Sequence, residues 1–125
     1  DVQLPLRQFY GDILTFASNS KAITQGDYYD LTNFNLSQGN IANDVHVFAR
    51  VYNEERLVIL SSFDDKTKRV KVKLSDEVVQ AFQLNSEEDY VGHDMLRSSA
   101  DVGINKSRSF EVDILPYSSF IFKIK

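Results

Sequence analysis

Apolar and polar residues alternate along most of this chain, and the alternation predicts short β-strands. In residues 69 to 74, RVKVKL, apolar residues fall on one face and basic residues on the other, as in a strand with one face in water. Residues 45 to 52, VHVFARVY, predict a strand in the same way. Residues 56 to 63, RLVILSSF, are apolar on both faces for most of their length, which predicts a central strand. The short segment NEE between these last two runs favours an antiparallel hairpin.

Further segments predict the rest of the secondary structure. The additional predicted strands are residues 26 to 33, 90 to 96, 109 to 115 and 118 to 125. The segments with loop composition are residues 33 to 44 and 97 to 107. Residues 75 to 82, SDEVVQAF, begin with a serine that can cap a helix and with acidic residues that favour a first helical turn, so they predict a short helix.

The N-terminal part of the chain has a helical period instead. Pro5 can occupy the first turn of a helix, where its missing N–H costs nothing. A helix over residues 5 to 17 has an apolar arc of about 160°, wider than the ~100° typical of a surface helix. The arc consists of Leu6, Phe9, Tyr10, Ile13, Leu14, Phe16 and Ala17. Such a helix needs neighbours on more than one flank.

One N-terminal α-helix followed by about seven short strands predicts a mainly β fold. Turn residues between the strands favour antiparallel pairing, so we expect a two-sheet antiparallel β-sandwich of the Greek-key type. The length of 125 residues fits one such domain. We assign residues 1 to 25 to the helix and a linker, and residues 26 to 125 to the sandwich.

Composition argues against several classes of partner. The net charge of −4 comes from 18 acidic and 14 basic residues that are mixed along the chain without a basic run. No apolar segment approaches the ~20 residues of a membrane span, so nucleic acid and membrane are poor partners. The absence of cysteine excludes disulfides and thiolate metal sites, and it leaves extracellular, periplasmic and cytoplasmic locations open. Since the first residue is Asp1, we expect coding sequence upstream of it.

The chain offers little for catalysis. Its two histidines, His46 and His93, lie in strand or turn segments without a thiol or an HExxH spacing, so we interpret them as non-catalytic. The grouped carboxylates are Glu54 with Glu55, Asp64 with Asp65, and Glu87 and Glu88 with Asp89. They fall in predicted turns or hairpin ends, where ionised acids are solvated, whereas glycoside hydrolysis needs two carboxyl groups facing each other. We therefore predict no catalytic residue, no metal ligand and no cofactor.

One segment has the composition of a sugar-binding surface. Its rings and the polar residues around them are Tyr28, Tyr29 and Phe34 with Asp27, Asp30 and Asn33. Consecutive residues of a strand point to opposite faces, so at most one of the two tyrosines can serve as a platform. The alternative is that these rings belong to the core or are scattered over the surface.

The order of these segments resembles the C-terminal end of the α-amylase superfamily, glycoside hydrolase family 13. In that family the last helix of the catalytic (β/α)8 barrel leads into a segment of the form A-L/I-x-x-G-x-Y/F, which is followed by an antiparallel sandwich. The matching residues are Phe9, Leu14, Ala22, Ile23, Gly26 and Tyr28. The hairpin is similar at Phe48, Arg50 and residues 57 to 63, and the closing strand at Leu115, Pro116, Tyr117, Ile121 and Phe122.

The resemblance implies that the leading helix is the last helix of such a barrel, with Phe9, Ile13 and Phe16 at the interface. It also implies that the catalytic acids lie at the ends of barrel strands, outside this sequence. The implied function is a non-catalytic domain that stabilises the barrel of an enzyme acting on α-glucans such as starch and maltooligosaccharides. Its implied partner is the barrel of the same polypeptide.

Two alternatives to this function remain. The first is a carbohydrate-binding module that holds α-glucans through the ring segment. The second is an interaction domain that forms dimers through the exposed helix.

Overall fold

The computed structural model describes residues 26–39, 41, 44–96, 101–104 and 106–125. The predicted helix at residues 5 to 17 and its candidate interface residues Phe9, Ile13 and Phe16 lie outside the described residues. The assignment of residues 1 to 25 to a separate segment also stays a prediction. The described part of the chain corresponds to the predicted sandwich.

Strands dominate the described part of the chain. The strands are β1 (Asp27–Asp30), β2 (Val45–Tyr52), β3 (Glu55–Ser62), β4 (Lys68–Lys73), β5 (Tyr90–Asp94), β6 (Asp101–Ile104), β7 (Ser109–Ile114) and β8 (Ser119–Ile124). The helices are α1 (Thr32–Ser37) and α2 (Asp76–Ala81). No helix among the described residues is long and apolar enough to cross a membrane. The predicted mainly β class is confirmed.

The strands form two antiparallel sheets, as predicted. The larger sheet has six strands in the order β1-β2-β3-β8-β5-β6, and the smaller one pairs β4 with β7. β3 lies between β2 and β8, in the central position that its two-sided apolar pattern predicts. Tyr52 pairs with Glu55, so β2 and β3 are joined by a two-residue turn. Asn53 in this turn has a φ of 53°, a left-handed conformation that asparagine tolerates better than most residues.

The main core lies between the two sheets. Alternate residues of the larger sheet, such as Val47 and Phe122, face Val72 and Phe110 of the smaller sheet in one buried cluster. The Phe122 ring stacks on Phe120 with centroids 5.0 Å apart and meets Phe110 edge-on at 5.4 Å. We call this face of the six-stranded sheet the inner face.

A second apolar cluster lies on the opposite face of the six-stranded sheet, which we call the outer face. This outer cluster has three buried members and three partly buried neighbours: Leu57, Ile59 and Ile121, packed by Phe48, Tyr52 and Leu96. Val58 and Leu60, which alternate with the buried outer residues of β3, belong to the main core instead. The central strand is therefore buried on both faces.

The helix predicted after β4 is confirmed as α2. The Ser75 Oγ accepts a hydrogen bond from the Val78 N–H at 3.3 Å and so caps the helix. Asp76 and Glu77 lie in the first turn, where negative charge is favourable. Val78 and Phe82 are buried in the main core, so α2 covers part of it.

The segment of residues 33 to 44, predicted as a loop, begins inside α1. The Asp30 carboxylate accepts a hydrogen bond from the Thr32 N–H at 2.8 Å, which favours a turn into the helix. The buried Asn35 then ties α1 to β4. Its Oδ1 accepts from the Lys73 N–H at 2.8 Å, and its Nδ2 donates to the Lys73 carbonyl at 3.1 Å. Asparagine is common in loops, but the side-chain amide of Asn35 forms a tertiary contact between α1 and β4.

The other predicted loop, residues 97 to 107, contains β6. β6 pairs with β5, and this pairing places Val102 opposite Gly92. Val102 and Ile104 are buried in the main core. The loop prediction was wrong for a physical reason. The aspartate and glycine of the segment DVGI are typical of loops, but the segment becomes a strand because it pairs with β5. The described residues contain eight strands, where about seven were predicted.

We expect Asn35→Ala to lower the free energy of unfolding by about 1–3 kcal/mol, because it leaves the Lys73 N–H and carbonyl without their side-chain partner. Asn33 is exposed in the same helix, so Asn33→Ala is the matched control, with an expected change within about 0.5 kcal/mol. Urea unfolding followed by circular dichroism measures both variants. Equal effects of the two substitutions would contradict the role of Asn35.

We also expect Gly92→Ala to destabilise the protein by about 1–3 kcal/mol through overpacking. A Cβ at Gly92 would lie 2.9 Å from Val102 Cγ2 and 3.2 Å from Ile124 Cδ1. Gly103 in the neighbouring strand provides the control, since a Cβ there would meet no described atom within 4 Å. Thermal unfolding should show a lower melting temperature for Gly92→Ala and little change or a small rise for Gly103→Ala.

Candidate functional site

The two tyrosines proposed for sugar binding point to opposite sides of β1. Tyr28 lies with 54% of its surface exposed, whereas Tyr29 is partly buried against the main core. The register of β1 against β2 places Tyr28 opposite Arg50 and Tyr29 opposite Ala49, whose side chain is in the main core. The expectation that at most one of the two rings is available is therefore met, and the available ring is Tyr28.

Tyr28 lies beside the outer cluster, and the Arg50 guanidinium lies over its ring. Its ring centroid is 5.6 Å from that of Phe48, one of the partly buried neighbours of the cluster. The Arg50 guanidinium lies over the Tyr28 ring at 5.8 Å from the centroid, and its Nη2 donates to the Gly26 carbonyl at 3.2 Å. Tyr28 is therefore a half-exposed ring with a guanidinium over one of its faces.

Phe34 does not join Tyr28 in one platform. It lies in α1 and is partly buried, and among the described residues no ring contact connects it to either tyrosine. The polar residues of the segment are also partly engaged, since Asp30 accepts the hydrogen bond that begins α1. The three rings that the sequence placed in one candidate patch therefore do not form one surface.

Three exposed apolar residues lie elsewhere, on two hydrogen-bonded turns that the sequence analysis did not propose as a site. We call this group the Phe63 patch, and its members are Phe63, Leu115 and Tyr117. Phe63 and Tyr117 are 61% and 56% exposed. The two turns are joined by hydrogen bonds from the Tyr117 N–H to the Asp64 carbonyl at 3.2 Å and from the Ser62 N–H to the Ser118 carbonyl at 2.9 Å. The ring of His46 meets Phe63 edge-on at 5.1 Å.

A lysine held between two aspartates borders this patch. The Lys68 Nζ lies 2.7 Å from Asp64 Oδ2 and 3.0 Å from Asp44 Oδ2. Hydrogen bonding with Asp44 and with the Lys68 ammonium holds the pKa of Asp64 well below its ordinary value. Its bonds to Asp64 and Asp44 raise the pKa of Lys68 in turn. Asp64 was predicted to be a solvated turn residue, and it is a partly buried member of an ion-pair network instead.

The histidines have structural partners, whereas the buried Asp94 has a hydrogen-bond partner for Oδ1 and none for Oδ2 among the described residues. The Nδ1 of His93 lies 2.5 Å from Asp101 Oδ1 at the exposed end of the β5–β6 pair. Asp94 is fully buried, and its Oδ1 accepts from the Leu96 N–H at 3.1 Å in the turn that follows β5. Within the part of the chain that the structure describes, no three His, Asp or Glu side chains are grouped closely enough to hold a metal ion.

A shallow depression of about 420 Å3 lies at the β2–β3 turn, below the end of α2. Its polar lining comes from Asp27, Tyr52, Asn53 and Gln83. Asn53 and Gln83 both have a left-handed backbone, with φ of 53° and 56°. The depression is wide and open to solvent, so it resembles a surface groove and not an enclosed active site.

The fold is similar to part of several larger enzymes of known structure. AmyP in complex with maltotriose matches with a TM-score of 0.70 at 13% identity, over 100% of this chain and 22% of the AmyP chain. The α-amylase of Geobacillus thermoleovorans, complexed with acarbose, matches with a TM-score of 0.57 at 16% identity, over 85% of this chain and 20% of that one. These similar structures are enzymes of the α-amylase type.

The fold is also similar to part of an enzyme that is not named an α-amylase. The isomaltulose synthase of Klebsiella matches with a TM-score of 0.56 at 16% identity, over 93% of this chain and 17% of that one. No protein-family model and no curated protein matches the sequence. The chain spans about a fifth of the length of the enzymes that it resembles, and the resemblance to α-amylase-type enzymes is confirmed at the level of the fold.

We expect Lys68→Met to raise the pKa of Asp64, because the variant removes the ammonium, which is one of the groups that hold this pKa low. A carboxylate with a depressed pKa stabilises the fold above its unfolded pKa of about 4, and this stabilisation is lost as the pH falls through the folded pKa. Lys68→Met should therefore lower stability near pH 7 and lose less stability than the wild type on acidification below about pH 4.

Carboxyl carbon NMR titration and urea unfolding at several pH values test this prediction. Lys66→Met is the matched control, because Lys66 is exposed and contacts Asp64 through its backbone N–H, which the substitution keeps. An unchanged Asp64 titration in Lys68→Met would show that Lys68 does not set this pKa.

Proposed function

We propose that this chain is a non-catalytic domain at the C-terminal end of an α-amylase-type glycoside hydrolase, and that it stabilises the catalytic barrel. The observation that carries the proposal is the match to AmyP, which takes in the whole of this chain and 22% of that enzyme. A compact unit that corresponds to a fifth of a larger chain is typical of one domain in it. The AmyP structures contain maltose and maltotriose, which supports α-glucans as the substrate class of the parent enzyme.

The positions of the acidic residues support a non-catalytic role. Glu54 lies in the turn after β2, Asp65 in the bend after β3, and Glu88 in the turn between α2 and β5, and all three are exposed. Glycoside hydrolysis needs two carboxyl groups about 5 to 10 Å apart on either side of the sugar. Asp64, a partly buried member of these groups, is engaged by Lys68. In this proposal the catalytic carboxylates of the parent enzyme lie in its barrel.

The Phe63 patch supports a stabilising role. Apolar side chains that are this exposed on two joined turns are typical of a contact surface. An apolar contact of about 300 Å2 contributes several kcal/mol at ~25 cal/mol per Å2, before entropic costs. A covalent link between two domains removes much of the entropic cost of association, so a contact of this size can raise the stability of both.

Deleting residues 26 to 125 from the parent polypeptide should lower its melting temperature and its soluble yield, because an apolar surface of the barrel becomes exposed. The turnover number per folded molecule should change much less. Calorimetry and activity normalised to titrated active sites measure the two effects. An unchanged melting temperature, or a loss of turnover in fully folded enzyme, would contradict the proposal.

A finer version of this experiment uses point variants of the parent. Phe63→Ser combined with Tyr117→Ser should reproduce part of the loss in melting temperature if the Phe63 patch is the contact. Val91→Ser is the control, since Val91 is also an exposed apolar residue but lies in β5, outside the patch. Equal effects of the double variant and the control would argue against the patch.

The exposure of Tyr28 favours a second function, the binding of α-glucans. In affinity electrophoresis on soluble starch, binding through this ring predicts retardation of the wild type that disappears in Tyr28→Ala. Tyr117→Ala is the control, because Tyr117 has nearly the same exposure at 56% against 54%. No retardation of the wild type would leave stabilisation of the barrel as the function.

A further inference from the structure

The outer edge of β4 carries backbone groups that its partner strand does not use. In an antiparallel pair, successive residues point their N–H and carbonyl groups alternately toward the partner strand and away from it. Just after β4, the Leu74 N–H donates to the Arg108 carbonyl at 2.8 Å, on the side of β7. Lys73, Lys71 and Arg69 alternate with this position, so their N–H and carbonyl groups point away from β7.

At one end of this edge, the side chain of Asn35 takes the place of a neighbouring strand. Its Oδ1 accepts from the Lys73 N–H at 2.8 Å, and its Nδ2 donates to the Lys73 carbonyl at 3.1 Å. A carboxamide offers the same donor and acceptor as a peptide group, so it satisfies Lys73 as a residue of a paired strand does. The Nδ2 also donates to the Leu31 carbonyl at 2.9 Å, and Asn35 is fully buried, so the orientation of the amide is fixed.

The remainder of the edge is short. Among the described residues, no backbone hydrogen bond reaches the outward N–H and carbonyl groups of Lys71 and Arg69. Each of these residues offers one donor and one acceptor to an added strand. Lys73 has the same two groups, but both are taken by Asn35. Asn35 thus shortens the part of β4 to which another strand can bond.

The side chains along this edge are basic, whereas those along the other edge of the same small sheet are acidic. Arg69 and Lys71 are exposed on the solvent face of β4. Opposite them in β7 lie Asp113 and Glu111, which are exposed as well. The backbone groups of these two acidic residues also point away from the sheet, because they alternate with the residues that bond to β4. The small sheet therefore has one basic edge and one acidic edge.

We propose that Asn35 closes the edge of β4 to strand addition, and that the strand it excludes is β7 of a second copy of this chain. Addition of β7 to β4 would place Glu111 and Asp113 of one molecule beside Lys71 and Arg69 of the other, and opposite charges across a strand pair are favourable. Addition of β4 to β4 would place like charges together. The contact concerns this chain alone, so it holds or fails independently of the proposed function.

Sedimentation velocity of the complete 125-residue chain over a range of concentrations tests the proposal. Asn35→Ala releases both backbone groups of Lys73, so we expect this variant to self-associate at concentrations at least several-fold lower than the wild type. Because two different edges meet, the contact does not close on itself, and species larger than dimers should follow as the concentration rises. Added salt should weaken the association, since it screens the opposite charges.

A control with a similar loss of stability is needed, because Asn35→Ala also destabilises the fold. Gly92→Ala serves this purpose, since it overpacks the core at β5 and leaves the small sheet unchanged. Equal association of both variants would overturn the proposal, because partial unfolding would then account for it. An Asn35→Ala variant that is folded by circular dichroism and remains monomeric would overturn it too.

A proline in β4 tests whether this edge is the one that associates. Lys71→Pro removes an outward N–H that takes no part in the ladder with β7, and an edge strand tolerates proline at such a position. We expect the Asn35→Ala, Lys71→Pro double variant to be monomeric. In the control, Lys71→Ala keeps the N–H and should leave a weakened association. Association that persists with the proline would assign it to another surface and overturn the proposal.

Charge reversal in β7 tests the identity of the added strand. Glu111→Lys in the Asn35→Ala background would place a lysine of one molecule beside Lys71 of the next, so the association should become at least several-fold weaker. The salt dependence should also decrease, because fewer opposite charges then meet. Association that Glu111→Lys leaves unchanged would show that β7 is not the strand that Asn35 excludes.

Discussion

The fold depends on a central strand that is buried on both faces. From Leu57 to Leu60 every residue of β3 is buried, and successive side chains enter two different clusters. Such a strand is stable only if a layer of protein lies on each side of its sheet. The two-stranded sheet and α2 supply the inner layer. The outer face carries the smaller cluster of Leu57, Ile59 and Ile121.

The sequence predicts strands well where the information is local. In β2 and β4 the period-two pattern is in the residues themselves, and in α2 the capping serine and the early acids adjoin the helix that they favour. β6 was missed because its conformation depends on Gly92, whose missing side chain leaves room for Val102 in the partner strand. α1 was missed because Asn35 bonds to Lys73, 38 residues further along the chain. Both misses concern contacts that no local pattern contains.

The same distinction explains how far the candidate sites could be predicted. Alternation along a strand shows that Tyr28 and Tyr29 face opposite ways, but only the register against β2 decides that Tyr28 is the exposed one. The Phe63 patch and the Lys68 network each join residues from turns that are distant in the sequence, such as Asp64 and Tyr117. In the sequence these residues cannot be distinguished from ordinary turn residues, because their contacts form only in the folded chain.

The two edge strands of the six-stranded sheet have a consequence for solubility. Among the described residues the edge strands are β1 and β6, and each is four residues long and begins with an aspartate. An edge strand presents unpaired N–H and carbonyl groups to which a strand of another molecule can add, and short length and charge oppose this addition. A β-domain with apolar residues on both sides of its central strand can therefore present its faces for packing while its edges resist fibril-like growth.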